Sequence, residues 1–317
     1  MTGLYGYFLP LISALIVFAL TVLVARILER KWPIATTPAA EYVADIKLSL
    51  LAIFLNRLLG PLTAISAALI INLAGGGLIE LRSDGWWFPV SLVTTILTLD
   101  FVSYWVHRAQ HAVPALWAMH SLHHSAEAMT MVTGARHFWL ESLIQLGLLP
   151  FLPVLFKVPT IFIMVVPLIY FLPDGCSHIN VRLSLGRFGL LLNNPQYHRI
   201  HHSVLPEHRD KNFCRLLPLF DVLFGTAWQP AADEFPATGL MPSEKPSGFW
   251  DGFFWPVRNQ IPFRRISGLI ALMQDLVGKT TDACGMHDAT PAPRILGGGE
   301  RAYRTMEPAS NEGDVPS

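Results

Sequence analysis

Apolar residues run along this chain in long blocks broken by short polar stretches, rather than in the narrow stripes of a soluble helix bundle. Leu4 to Ala25 carries no charge and has about the 20-residue length needed to cross a hydrocarbon core, which predicts a first spanning helix. Arg26, Arg30 and Lys31 follow it directly and by the positive-inside tendency place that end in the cytoplasm. The leading residues lack the positive start of a secretory signal, so the run is expected to stay with the chain. A second block, Leu48 to Leu73, is interrupted by Asn56, Arg57, Gly60 and Pro61 and reads either as one kinked span or as two half-helices. After a turn at Gly75-Gly76-Gly77, a third block from Trp86 to Val106 begins with an interfacial Trp pair and delivers His107 to the cytoplasmic surface. Leu143 to Phe156 and Pro159 to Leu172 are each short for a crossing and flank Lys157, so they predict a helical hairpin that enters the membrane and returns on the same side.

Composition agrees with this pattern. Hydrophobic residues make up 52% of the 317 positions and charged residues only 15%, too apolar for an ordinary soluble domain. The formal net charge is zero, so nothing in the overall balance recruits nucleic acid. Cys176, Cys214 and Cys284 are scattered, without the spacing of a disulfide framework, a zinc ribbon or an iron-sulfur site. Gly248 to Phe263 has the aromatic density of an interfacial segment, and the chain beyond His287 the Gly, Pro and polar content of a disordered tail.

The chemistry concentrates in three histidine clusters at the edges of the apolar blocks: His107 with His111, His120 with His123 and His124, and His198 with His201 and His202. Spacings of three and four residues put imidazoles on one helical face, where they can aim at one point. Neutral imidazole suits zinc, copper, iron and nickel, whereas magnesium and calcium want oxygen ligands. A tetrahedral zinc takes four ligands, so eight clustered histidines are read most economically as two metals. Burying that many polar groups near a membrane is costly without a function. The fold expected is therefore all-α: a polytopic membrane helical bundle of about four spans, including the hairpin, with a cytoplasmic histidine-rich di-metal cap. Its expected parts are a membrane region at 1–85, a catalytic domain at 86–230 with the hairpin at 140–173, a cytoplasmic or interfacial segment at 231–287, and the tail at 288–317.

Two stretches, DFVSYWVHRAQHAVPALWAMHSLHHSAE from Asp100 and NNPQYHRIHHS with FDVLFGT further on, resemble the fatty acid hydroxylase and sterol desaturase superfamily of integral-membrane di-iron enzymes. The resemblance covers roughly Asp100 to Thr226. It implies that His107, His111, His120, His123, His124, His198, His201 and His202 bind two iron ions, and that His178, in DGCSHIN, completes the site. Where some relatives carry a further histidine this chain has Asp174, which could ligate through oxygen, accept a hydrogen bond from a ligand imidazole, or cap a turn. His137 departs from the family spacing and is a weaker candidate; His208 and His287 stand outside the clusters and are expected to be solvated. Asp100, seven residues before His107 on the same helical face, is a candidate acceptor behind that imidazole.

The implied reaction is reductive activation of dioxygen at two ferrous ions to hydroxylate or desaturate a C–H bond of a lipid entering from the bilayer, with hydroxylation preferred. Trp105, Met119, Phe138 and Trp139 are candidate linings for the lipid entrance. No fused haem module and no G-x-G-x-x-G in a strand-to-helix setting is present, so electrons are expected from a ferredoxin or b-type cytochrome with its reductase. The implied location is a multi-pass protein of a bacterial inner membrane or the endoplasmic reticulum, with the site on the cytoplasmic side. Two other classes fit the histidines alone: a zinc-dependent membrane hydrolase using Glu127 or Glu141 as base, and a non-enzymatic membrane metal carrier.

Overall fold

The computed structural model describes residues 2–73, 75–141, 154–240 and 244–259. They fall within the first of two units, Met1–Phe263; the second, Arg264–Ser317, lies outside the described residues, and with it His287, Cys284 and the expected tail.

The apolar blocks fold as helices. Helix α1 spans Thr2–Lys31 and ends on the basic pair Arg30 and Lys31. Helix α2, Ala39–Leu73, is one continuous element with Pro61 inside it, so the second block is neither broken in two nor limited to Leu48–Leu73. Three glycines with positive φ then turn the chain, and at Gly77 a Cβ would collide with the Lys157 backbone nitrogen. That close approach lets Ile79–Glu80 pair in parallel with Phe156–Lys157, two-residue strands in an otherwise helical unit.

Helix α3, Trp87–Ala112, is the one helix among the described residues that is long and apolar enough to cross a membrane. It carries His107 and His111 in its last two turns. Val113, extended at φ −96° and ψ 117°, separates it from α4, Pro114–His124, whose leading proline suits a helix start. Of the expected hairpin, 142–153 lies outside the described residues; the second limb is α5, Thr160–Cys176, with Pro167 and Pro173 inside it. Phe162, Val166 and Tyr170 of α5 pack against Phe88, Leu92, Ile96 and Leu99 of α3. The last histidine cluster sits on α6, Pro195–His201, capped by the Asn194 side chain accepting from the Tyr197 backbone N–H at 3.1 Å.

Buried polar side chains tie these helices together around the histidines. Glu29 of α1 accepts from the backbone N–H groups of Met131 and Asn180. Arg136 donates to Asp45 of α2 at 2.9 Å and to the Leu122 carbonyl and Ser125 hydroxyl at the end of α4. Asp221 accepts from the Tyr197 and Thr226 hydroxyls and from the backbone of Phe213 and Cys214, joining α6 to the loop beyond it. Residues 249–259 close the far side: Trp255 packs with Met119, Leu122 and Phe138 and donates its indole N–H to Ser121 at 2.9 Å. Met119 and Phe138 thus pack in a buried core with Trp255, and the partly buried Trp139 lies against it.

The Arg136–Asp45 pair is almost wholly buried, with side-chain exposures of 5% and 6%. Removing one partner strands the other charge, which costs about 3–5 kcal/mol. Asp45→Ala is therefore expected to lower the melting temperature of the detergent-solubilised protein sharply, while a double exchange of both residues for apolar ones recovers much of the loss.

Candidate metal centre

Nine histidines from α3, α4, α6 and the end of α5 converge in two groups. His107, His111, His120, His124 and His201 form one; His123, His178, His198 and His202 form the other; within each, the candidate ligand atoms lie within 4.8 Å of one another. Adjacent residues divide between the groups: His123 and His124 part at the end of α4, as do His201 and His202 at the end of α6. A helix turns about 100° per residue, so neighbouring side chains fan out to separate points while i and i+4 partners such as His120 and His124 stay together.

The outer nitrogens are fixed by acceptors. His107 Nδ1 donates to the Phe213 carbonyl at 2.8 Å, His201 Nδ1 to the Lys211 carbonyl at 2.7 Å, and His123 Nδ1 to the Thr133 carbonyl at 3.1 Å. His120 Nδ1 donates to Glu141 Oε1 at 2.8 Å, and His111 Nδ1 lies 3.4 Å from Asp210 Oδ1. The Lys211 carbonyl is presented by a loop whose flanking residues, Asp210 and Asn212, both have φ near +60° (58° and 59°). Asn and Asp tolerate that conformation better than most residues. Asn212 is anchored by donating to the Tyr197 and Trp228 carbonyls.

A carbonyl or carboxylate can only accept, so each of these Nδ1 atoms holds the proton, and in the neutral ring the Nε2 presents a bare lone pair. Two of those lone pairs face each other, His107 Nε2 standing 3.1 Å from His120 Nε2. Other Nε2 atoms gather as closely: His120 Nε2 is 3.2 Å from His124 Nε2, and in the second group His178 Nε2 lies 3.1 Å from His123 Nε2 and 3.0 Å from His198 Nε2. His201 Nε2 and both nitrogens of His202 are buried with no hydrogen-bond partner among the described residues. Burial, and after it the neighbouring imidazoles, holds His123, His124, His201 and His202 well below the usual histidine pKa, so they are neutral at physiological pH.

Family comparison agrees with the histidine pattern: residues 92–226 match the fatty acid hydroxylase family. Alkylglycerol monooxygenase of Homo sapiens is 33% identical over 141 residues, covering 44% of this chain and 31% of the human protein. That of Xenopus tropicalis is 32% identical over 152 residues, 47% of this chain and 32% of the relative. An ornithine lipid hydroxylase of Rhizobium tropici is 28% identical over 157 residues, 46% of this chain and 44% of the relative. The chain thus spans about a third of the length of the alkylglycerol monooxygenases it matches. No solved structure matches it.

The donor set fits a transition metal in each group. Two nitrogens bound at about 2.1 Å to a shared ion stand about 3.0 Å apart at a right angle, as these Nε2 pairs do. Neutral imidazoles backed by carbonyl and carboxylate acceptors are the arrangement that orients metal-bound histidine.

Several other positions differ from the sequence reading. Asp100 shares a face with His107 but sits two turns, about 10 Å, down the axis; it accepts from the Tyr170 hydroxyl at 2.9 Å and the Leu217 N–H at 2.7 Å, and the Phe213 carbonyl takes its expected place behind His107. Asp174 lies in the last turn of α5, with its side chain outside the described residues. His208 is buried, between Glu234, the Ser203 hydroxyl and the Trp228 ring, and not solvated. His137 stacks on His123, ring centroids 4.3 Å apart, and meets Glu141 at 3.0 Å. The buried carboxylate of Glu141 behind His120 was not foreseen, although its position four residues after His137, at the head of an apolar block, was a visible signal.

The depressed histidines set a pH dependence. Between their folded values and about 6.5 the unfolded chain binds more protons than the folded one, so the stability of metal-free protein falls as pH drops below about 6.5. Its melting temperature is expected to be near constant from pH 8 to 7 and to decline steeply toward pH 5.

Proposed function

We propose that this chain is a membrane-bound di-iron oxygenase that hydroxylates a C–H bond of a lipid. The observation that carries the reading is the convergence of nine imidazoles into two groups whose candidate ligand atoms lie within 4.8 Å of one another, with several Nε2 atoms about 3 Å apart. The five-histidine group and the four-histidine group would each hold one iron. The bound pair would supply reductive activation of dioxygen, as in the family the sequence resembles. The protein's own part is to keep each Nε2 bare and aimed, through the fixed outer nitrogens, and to hold the ligand rings out of water, His120, His123, His124, His198, His201 and His202 all being buried. The names of the relatives, a monooxygenase of alkylglycerols and a hydroxylase of ornithine lipids, support a lipid substrate and favour hydroxylation over desaturation. Electrons would come from a separate ferredoxin or b-type cytochrome with its reductase.

The exposed apolar faces support a membrane setting. Ile16, Leu20 and Val24 of α1, Phe54, Leu58 and Leu62 of α2, and Val90 and Val93 of α3 all point outward, more than such surface would be left on a soluble monomer. In this reading α1, α2, α3 and the hairpin limbs lie in the bilayer, and the histidines sit at the cytoplasmic end of α3, on the side of Arg30 and Lys31.

The hydrolase alternative finds less support. Glu127 sits at the surface with Lys245, and Glu141 faces the outer nitrogen of His120.

Anaerobic loading with ferrous iron, followed by turnover with a reductase and ferredoxin on a lipid extract under labelled dioxygen, tests the proposal. The expected result is about two irons per chain and one labelled oxygen atom in the product. His201→Ala and His202→Ala are each expected to cut activity by more than about 100-fold, the upper end of what an outer-shell change costs. Turnover that proceeds without oxygen on tightly held zinc would overturn the reading.

A further inference from the structure

Glu141 is almost wholly buried, at 1% exposure, at the meeting point of three N–H donors. Its Oε1 accepts from His120 Nδ1 at 2.8 Å, from His137 Nδ1 at 3.0 Å and from the Gln110 amide at 2.7 Å. Gln110 is itself buried and lies on α3, between His107 and His111; His120 is on α4; His137 precedes Glu141 by one helical turn. One oxygen atom therefore ties together the elements that carry the first two histidine clusters.

Burying a carboxylate away from water is expensive unless a positive charge answers it. Two imidazoles and an amide donate hydrogen bonds, but Gln110 brings no charge. The cation is reached through His120: its Nδ1–H points at Glu141 and its Nε2 points into the five-histidine group, 3.1 Å from His107 Nε2 and 3.2 Å from His124 Nε2. Carboxylate, imidazole and metal in line is the arrangement in which the carboxylate fixes the ring and raises the basicity of the ligating nitrogen. On the side of the four-histidine group the carboxylate meets His137, whose ring stacks on His123 with planes 12° apart.

We infer that Glu141 is a positioning residue for one metal of the pair: through His120 it strengthens binding in the five-histidine group and leaves the four-histidine group largely unaffected. The inference rests on the proposal that both groups bind metal. It makes the two positions chemically distinct, and gives His137 the role of a second hydrogen-bond donor to the carboxylate instead of a ligand.

Glu141→Gln tests it, because the glutamine oxygen can still accept from His120 while the negative charge is gone. Metal-free wild-type and variant proteins are titrated anaerobically with ferrous iron enriched in the Mössbauer isotope, and circular dichroism checks the fold. The wild type is expected to take two irons. The variant is expected to hold one of them 10- to 100-fold more weakly, about the range for loss of an outer-shell partner, with the Mössbauer signal of that iron changed and the other kept. Glu141→Asp, which retains the charge at shorter reach, is expected to fall between the two, and His137→Phe, which removes one donor to the carboxylate but keeps the Glu141–His120 bond, to weaken that same iron less than Glu141→Asp does. Equal weakening of both irons in Glu141→Gln, or no weakening, overturns the inference while leaving the metal centre standing. A wild type that binds no iron overturns both. Should Glu141→Gln fail to fold, Glu141→Asp and His137→Phe decide, and weaker iron binding in His137→Phe than in Glu141→Asp contradicts the inference.

Discussion

The repulsion among inward-facing imidazole lone pairs is the constraint around which this fold is organised. Every histidine whose Nδ1 is locked to a carbonyl or carboxylate is left with a bare Nε2, and two such atoms, those of His107 and His120, are held 3.1 Å apart in a space crowded with further imidazole nitrogens. Nothing in the hydrophobic core asks for that arrangement. It persists because the elements bearing the rings are fixed independently, by Asp221 between α6 and the following loop, by Arg136 between α2 and the end of α4, and by Trp255 against α4. A cation in each group would turn the repulsion into attraction and link stability directly to loading.

The same logic explains why so many polar side chains are buried in a chain this apolar. Asn212, Asp221, Thr226 and Tyr197 are all buried around the loop that presents the Phe213 and Lys211 carbonyls to His107 and His201. Each has hydrogen-bond partners in the protein, so the network meets the condition under which buried polar groups are tolerated. The loop is thus as much a part of the centre as the histidines are, although it contributes no ligand.

Sequence reading reached the parts of this account that are local. The spacings of His120, His123 and His124 and of His198, His201 and His202 survive folding because they are set by helical geometry, and the apolar blocks gave α1, α2 and α3 with ends shifted by several residues. Contacts made across the fold were not legible. Asp100 had the right face of α3 and the wrong height, since periodicity reports angle and not distance along the axis. His208 looked solvated because its partners Trp228 and Glu234 lie 20 residues or more downstream. The division of nine histidines into groups of five and four, which splits the adjacent pairs His123–His124 and His201–His202, depends on how α3, α4 and α6 cross, and no single cluster encodes it.

X-ray absorption at the iron edge of anaerobically loaded protein tests the central claim most directly. The account predicts about two irons per chain, each with a first shell dominated by imidazole nitrogen and the outer-shell scattering pattern of rings bound through Nε2. A shell dominated by oxygen or sulfur, or protein that retains no iron while correctly folded, would contradict it.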